Sequence, residues 1–370
     1  MQRTKPPFRA DEVGSLLRTD RIKAARAQFE KSEIGAEELS RIEDSEIEKI
    51  VHKQAQIGLQ LATDGEFRRS WWHFDFLKYL NGCELYATEG IHFAGVTTRG
   101  ESIRVNGKLD FPADHPMLSH FAFLRKRAEQ AHVVPKMTIP SPSVLHFRGG
   151  RKAISQAVYP DMETYFQDLA KTYRKAVKAF YDAGCRYLQF DDTVWAYLCS
   201  KDELDKLRAR GEDADRLQEI YARMINYAIA ERPADMTITT HVCRGNFRST
   251  WISSGGYEPV AETLLAGTNY DGYFLEYDSE RAGGFEPLRF LPNGNKIVVV
   301  GVVTSKSGAL ENKDDIKRRL DEAAKFAPLE QLALSPQCGF ASTEEGNILT
   351  EDEQWAKLRL VVEVAKEVWG

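Results

Sequence analysis

The sequence lacks any long apolar run. Its longest, Ile297–Val303, is far short of the ~20 residues needed to span a bilayer. Cysteine is scarce. Five in 370 residues, an odd number without paired spacing, do not make a disulfide framework and lead us to expect a reducing, cytoplasmic setting. Neither sign of charge dominates: Lys and Arg number 50 against 55 Asp and Glu, interspersed, for a net charge of −5. That balance gives no electrostatic reason for a nucleic-acid or membrane partner. The first residues carry charge with no apolar segment behind it, so no secretory signal is expected. No low-complexity tract or Pro/Gly/Ser-rich linker divides the chain, and a single domain over residues 1–370 is expected.

What is present is an alternation. Short segments rich in β-branched and aromatic residues occur at 8–14, 59–64, 134–139, 186–191, 236–241, 272–276, 296–302 and 332–335. Between many of them lie stretches with apolar residues at helical spacing, at 36–57, 162–183, 203–230, 314–327 and 351–368, with a shorter one after Tyr257. Strand and helix in alternation imply parallel βαβ units, and eight such units imply a closed (β/α)8 TIM barrel. Residues 68–112 depart from the pattern. They hold Trp71-Trp72-His73-Phe74, then alternating runs such as Phe93–Thr98 and Ser102–Lys108, with Asn106-Gly107 as a turn signal. We expect a β-hairpin insertion after the second strand, near the barrel mouth.

Functional groups of such barrels collect where strands end. Here those positions hold Ser15, Glu66, Asp191, the pair His241 and Cys243, then Glu276, Lys306 and Cys338. In extended chain, residues two apart face the same way, so His241 and Cys243 can address one ion. Cys338 and Glu276 sit at strand ends that a closing ring brings near them. One nitrogen, two sulfurs and an oxygen suit tetrahedral zinc. His-x-Cys alone has another reading, a buried cysteine beside a histidine satisfied by backbone.

Several motifs together carry a resemblance: Asp11-Glu-Val-Gly-Ser15, Thr63-Asp-Gly-Glu66-Phe-Arg-Arg69, Leu188-Gln-Phe-Asp191-Asp192, His241-Val-Cys243-Arg-Gly-Asn-Phe247, Phe274-Leu-Glu276-Tyr-Asp278, Gly301-Val-Val-Thr-Ser-Lys306 and Ser335-Pro-Gln-Cys338-Gly339. In this order they resemble the catalytic half of the vitamin B12-independent methionine synthase family, and most closely its short single-barrel relatives. The resemblance implies a Zn2+ cofactor on His241, Cys243, Glu276 and Cys338. It places Val13, Gly14 and Ser15 on the loop that holds the homocysteine carboxylate, and Glu66 and Asp191 on the ammonium group. It implies methyl transfer from a methyltetrahydrofolate to homocysteine. Two positions depart from the family. Lys306 stands where a histidine thought to protonate the folate is found, and residues 141–146 lack the folate-stacking tryptophan.

A free thiol has a pKa of about 8.5, and zinc lowers it enough to make the thiolate at neutral pH. A catalytic site keeps a position for substrate, so the incoming sulfur is expected to displace the weaker Glu276 oxygen. Asp191 and Lys306 are the candidate catalytic side chains. Lys306 either protonates the leaving group or offsets the charge of two thiolates. Trp71, Trp72, His73 and Phe76 form either a lid or stacking face over substrate, or the packing of the insertion. Cys83, Cys185 and Cys199 read as ordinary thiols, His146 as structural, and Arg244 as a carboxylate binder or the partner of a neighbouring acid. Two other outcomes of the same chemistry are alkylation of a different small thiol, as by an epoxide-to-thiol transferase, and methyl transfer from a corrinoid donor.

Overall fold

Seven of the eight expected segments form strands, and all seven pair in parallel in a single curled sheet. In chain and spatial order these are β1 (Leu61–Ala62), β2 (Val134–Pro140), β3 (Tyr187–Asp192), β4 (Thr237–Val242), β5 (Gly272–Glu276), β6 (Ile297–Val303) and β7 (Leu332–Pro336). The computed structural model describes residues 3–89, 92–93, 96–98 and 100–370. Met1 and Gln2, and Ala94 and Gly95 of the alternating run, lie outside them. Among the described residues, no helix is long and apolar enough to cross a membrane.

The first expected strand, 8–14, is the correction. It makes one parallel bridge, Ala10 to Leu334 of β7, with Asp11 N–H donating to Leu334 O and Leu334 N–H to Arg9 O at 3.0 and 2.9 Å. On its far side Leu16 N–H reaches Gly65 O at 3.0 Å. The segment thus lies between β7 and the turn after β1 without joining a ladder. Side chains have taken its carbonyls: Lys136 Nζ donates to Glu12 O, Gln189 Nε2 to Val13 O (2.7 Å) and Thr63 Oγ1 to Gly14 O (2.7 Å). Asp11 also accepts from Phe8 and Glu12 N–H, a local competition that draws backbone donors away from sheet pairing.

The insertion after β1 contains an antiparallel pair, Asn81–Ala87 with Glu101–Asp110, and a shorter one, His92–Phe93 with Val96–Thr97. Asn106-Gly107 is no turn. It lies inside the second long strand, opposite a register shift between Asn81 and Cys83. Gly82 sits there at φ +83°, and a Cβ on it would lie 2.5 Å from Gly107 O. Glycines meet here because the two backbones approach too closely for side chains.

The helices cover the outer face. Those at 36–57, 162–183, 314–327 and 351–368 form within a few residues of expectation. The stretch 203–230 divides into Lys201–Ala209 and Ala214–Ile229, because Gly211 takes φ +76° and Asp213 caps a new start through Asp215 and Arg216 N–H. Two helices without a clear sequence signal, Asp20–Glu30 and Pro116–Gln130, complete the cover. The main apolar core lies between sheet and helices. Among the described residues, two small apolar clusters lie inside the curl, Phe8–Leu61–Tyr187 and Val13–Phe274–Ile297–Val299–Ala333. The rest of the interior is polar. Lys136, wholly buried, pairs with Asp11 at 3.0 Å and lies over the Phe274 ring at 4.1 Å.

Removing one member of a buried ion pair strands the other charge. Lys136→Met is therefore expected to cost about 3–5 kcal/mol, read as a lower midpoint in chemical denaturation. An unchanged midpoint would show that the hydrogen bonds to Asp11 suffice without the cation.

Candidate metal centre

Strand register brings the expected ligands together. In β3 and β4, Asp191 pairs with His241 and Asp192 with Val242; in β5 and β6, Glu276 pairs with Gly301, itself opposite Ser335 of β7. Cys243 and Cys338 follow the ends of β4 and β7. The ligand-capable atoms of His241, Cys243, Glu276 and Cys338 all lie within 4.8 Å of one another, and all four residues are buried. The two sulfurs are 3.5 Å apart.

Two of these groups have an unfilled valence. His241 Nδ1 is 3.3 Å from Asp191 Oδ1, whereas its Nε2 has no partner. Glu276 Oε1 accepts from Arg244 N–H at 3.0 Å, and Oε2 has no partner. Buried polar atoms are rarely left so. Two orphaned lone pairs beside two thiols fit a cation held by the four residues. Protonation tells the same story. Burial raises the Cys338 thiol, but the Cys243 hydrogen bond and the His241 charge outweigh it, leaving Cys338 at about 5. Cys243, hydrogen-bonded to Cys338 and buried, is pushed well above the ordinary thiol range. Burial pulls His241 down, yet the Cys338 charge and Asp191 carry it up to about 10. The cluster thus favours at most one thiolate on its own, and a second needs further positive charge.

A cavity opens above this cluster, lined by His241, Cys243 and Cys338 together with Val13, Ser15, Glu66 and Asp191. Gly14 lies behind that wall, close to Thr138 and Glu66. Gly339 must be glycine, since a Cβ there would fall 2.0 Å from Ser15 Oγ; this contact seats the Cys338 loop on the 13–15 loop. Ser15 further holds that loop through Phe340 N–H to Ser15 O (2.8 Å) and Ala341 N–H to Ser15 Oγ (3.3 Å). Glu66 stands at φ +59°. Thr138 donates to its Oε1 at 2.8 Å, Arg69 lies 3.3 Å away, and its Oε2 is orphaned. Burial first, then Asp191, raises its carboxyl to about 7 against the pull of Arg69.

Lys306 is not on the cavity wall. Its Nζ donates to Asn246 Oδ1 at 3.3 Å, and Asn246 in turn lines the cavity and donates to Gly339 O at 2.9 Å. Trp71 and Trp72 do line it, and the insertion is tied down by a Trp71–Thr343 bridge and by Trp72 N–H to Ser342 O at 3.0 Å. His73 and Phe76 are buried behind them. Burial pushes Cys83, Cys185 and Cys199 up to about 12, and none belongs to the cluster. His146 Nδ1 lies 2.7 Å from Tyr221 OH, a structural role. Arg244 is buried against the Tyr257 ring at 4.4 Å, away from the cavity wall. Arg148, Thr193 and Asn246 are wall residues that motif reading passed over. Thr193 and Asn246 follow strand ends and Arg148 follows the short helix Pro142–Phe147, with no spacing to flag them. Gln189 was also passed over, although it is two residues before Asp191 on β3.

A family model described as the catalytic domain of cobalamin-independent synthase matches residues 8–367. The uncharacterised protein YxjH of Bacillus subtilis is 56% identical over 99% of this chain and 96% of its own length. A Listeria monocytogenes structure, named as a candidate vitamin-B12 independent methionine synthase, is 47% identical, covers both chains fully and superposes with a TM-score of 0.82. A B12-independent methionine synthase from Shewanella sp. W3-18-1, solved with selenomethionine, is 19% identical over 97% of this chain and 96% of its own, with a TM-score of 0.70; it shares the fold.

Cys338→Ser is expected to abolish stoichiometric metal binding, read by elemental analysis after dialysis, because it removes one of the two sulfurs of the four-residue cluster. A fully loaded variant would show that the other three residues hold the ion without it.

Proposed function

Because the chain belongs to the family of cobalamin-independent synthase catalytic domains, we propose that it methylates the sulfur of homocysteine, with zinc held by His241, Cys243, Glu276 and Cys338. The observation that carries this reading is the pair of orphaned buried atoms, His241 Nε2 and Glu276 Oε2, beside two sulfurs 3.5 Å apart. Zinc, when bound, supplies the charge that makes a thiol give up its proton near neutral pH. In this reading residues 10–16 serve as the eighth stave of a closed barrel.

The chain's own residues do the remaining work. The 13–15 loop faces the substrate carboxylate, while Glu66 and Asp191 offer acceptors to its ammonium. An amino-acid thiol requires both, at the opposite end from the metal. Held by its two ends, the sulfur has one direction of approach to the methyl carbon, which removes much of the entropic cost of an in-line transfer. We assign Lys306 to charge balance: it is hydrogen-bonded to Asn246, and its charge favours the ionised form of Cys243. The Trp71–Trp72 side of the cavity is left for the methyl donor.

The direct test incubates zinc-loaded protein and homocysteine with methyltetrahydrofolate as mono- and polyglutamate, methylcobalamin or S-methylmethionine, and measures methionine. Methionine from one of them is expected. None from any donor, together with unchanged sulfur coordination in X-ray absorption on adding homocysteine, would remove it as acceptor. Glu66→Ala is expected to weaken homocysteine binding by about 1.5–3 kcal/mol, the range for a hydrogen bond to a charged group, while zinc content stays at wild type. Equal loss of both would make Glu66 structural.

A further inference from the structure

We propose that Gln189 is a positioning residue that fixes the metal end and the amino-acid end of the cavity relative to each other. Its side chain is wholly buried inside the curled sheet. The amide nitrogen donates to Val13 O at 2.7 Å and to Asp191 Oδ1 at 2.7 Å. A carboxamide nitrogen carries two hydrogens, and both are committed here. Val13 begins the loop proposed for the substrate carboxylate. Asp191 Oδ1 is also the oxygen 3.3 Å from His241 Nδ1. One side chain therefore joins the 13–15 loop to the carboxylate that orients a metal ligand.

The chemistry of each link is directional. With Asp191 facing Nδ1, the imidazole keeps its proton on that side and leaves the lone pair of Nε2 toward Cys338 and Glu276. Asp191 keeps this aim only while its Oδ1 is held, and Gln189 supplies that hold from below. On the other side, Val13 O belongs to no ladder and is held by the same amide, between the Lys136 and Thr63 bonds to Glu12 O and Gly14 O. Tyr187, Gln189 and Asp191 alternate along β3 and point inward together, with Tyr187 OH donating to Asp11 Oδ2 at 2.9 Å. Of the three, Gln189 alone touches both the loop and Asp191.

The inference rests on the proposed function for the identity of the acceptor, but not for its link to the metal ligand. The test uses Gln189→Met, which has similar length and donates nothing. Two quantities are read on the full zinc-loaded chain: the rate of zinc release to a chelator, and the Kd for homocysteine by calorimetry, with cysteine as the shorter competitor. Zinc release roughly tenfold faster is expected, the lower end for loss of a group that orients a metal ligand. Homocysteine is expected to bind roughly tenfold more weakly, with a narrower preference over cysteine. Wild-type values for both, or a change in only one, overturn the claim that one side chain serves both ends. Should Gln189→Met fail to fold, Gln189→Glu keeps the shape with at most one donatable hydrogen, and the same readings decide. A wild-type protein that holds zinc but not homocysteine defeats the acceptor assignment alone, and the zinc-release comparison then decides the link to His241. One that takes up no zinc defeats both readings.

Discussion

Two thiols, a carboxylate and an imidazole gathered within 4.8 Å in a dry pocket are unstable unless positive charge accompanies them. The groups that become anions repel one another in a medium where water cannot screen them. The protein offers only partial relief, through the contact of His241 with Asp191 and the charge of nearby Lys306. Burial and the Cys338 hydrogen bond push the Cys243 thiol well above the ordinary range, so a second thiolate has no such relief. Much else in the structure follows from holding this cluster. The sheet's register sets Asp191 beside His241, and the close seat of Gly339 on Ser15 fixes the loop that carries Cys338.

The polar interior follows from the same need. A parallel barrel ordinarily fills its centre with branched apolar side chains. Here the apolar interior shrinks to two small clusters, and Lys136, Gln189 and Thr63 reach the N-terminal segment instead. That segment gives up its place in the ladder and gains a conformation in which Val13 and Ser15 face the cavity. Its cost is charge buried in the interior, and the Lys136–Asp11 pair offsets it in place.

The cluster of His241, Cys243, Glu276 and Cys338 was legible because the period of a strand is short and its consequence strict: His241 and Cys243 share a face, and strand ends gather on one rim. The long amphipathic helices were legible for the analogous reason at period 3.6. Elsewhere local signals lost to tertiary structure. Residues 8–14 have strand composition, yet their carbonyls are taken by side chains from β2, β3 and the β1 turn, which no local pattern discloses. Asn106-Gly107 has turn chemistry, but the pair is used where two backbones nearly touch at Gly82. Gln189 was within reach of the rule that found Cys243, since it is two residues from Asp191. Its role needed knowledge of where the Val13 carbonyl lies.

The two ends of the cavity differ in how they are built, and the difference bears on specificity. The acceptor end stands on strand ends and on side chains wholly enclosed by the sheet, with Thr138, Gln189 and Arg69 holding Glu66, Asp191 and the 13–15 loop. Rigid support of that kind lets a site distinguish ligands by a single methylene, because neither end can shift to accommodate the wrong length. The opposite wall comes from the insertion, with Trp71 and Trp72 anchored to residues 342 and 343 by one bridge and one backbone hydrogen bond. Arg148 on that wall follows a short helix, Pro142–Phe147, instead of a strand. Loop-borne walls adapt and diverge more readily than strand-borne ones. Under the proposed function, the loop-borne wall of Trp71, Trp72 and Arg148 is therefore where the choice of methyl donor is set.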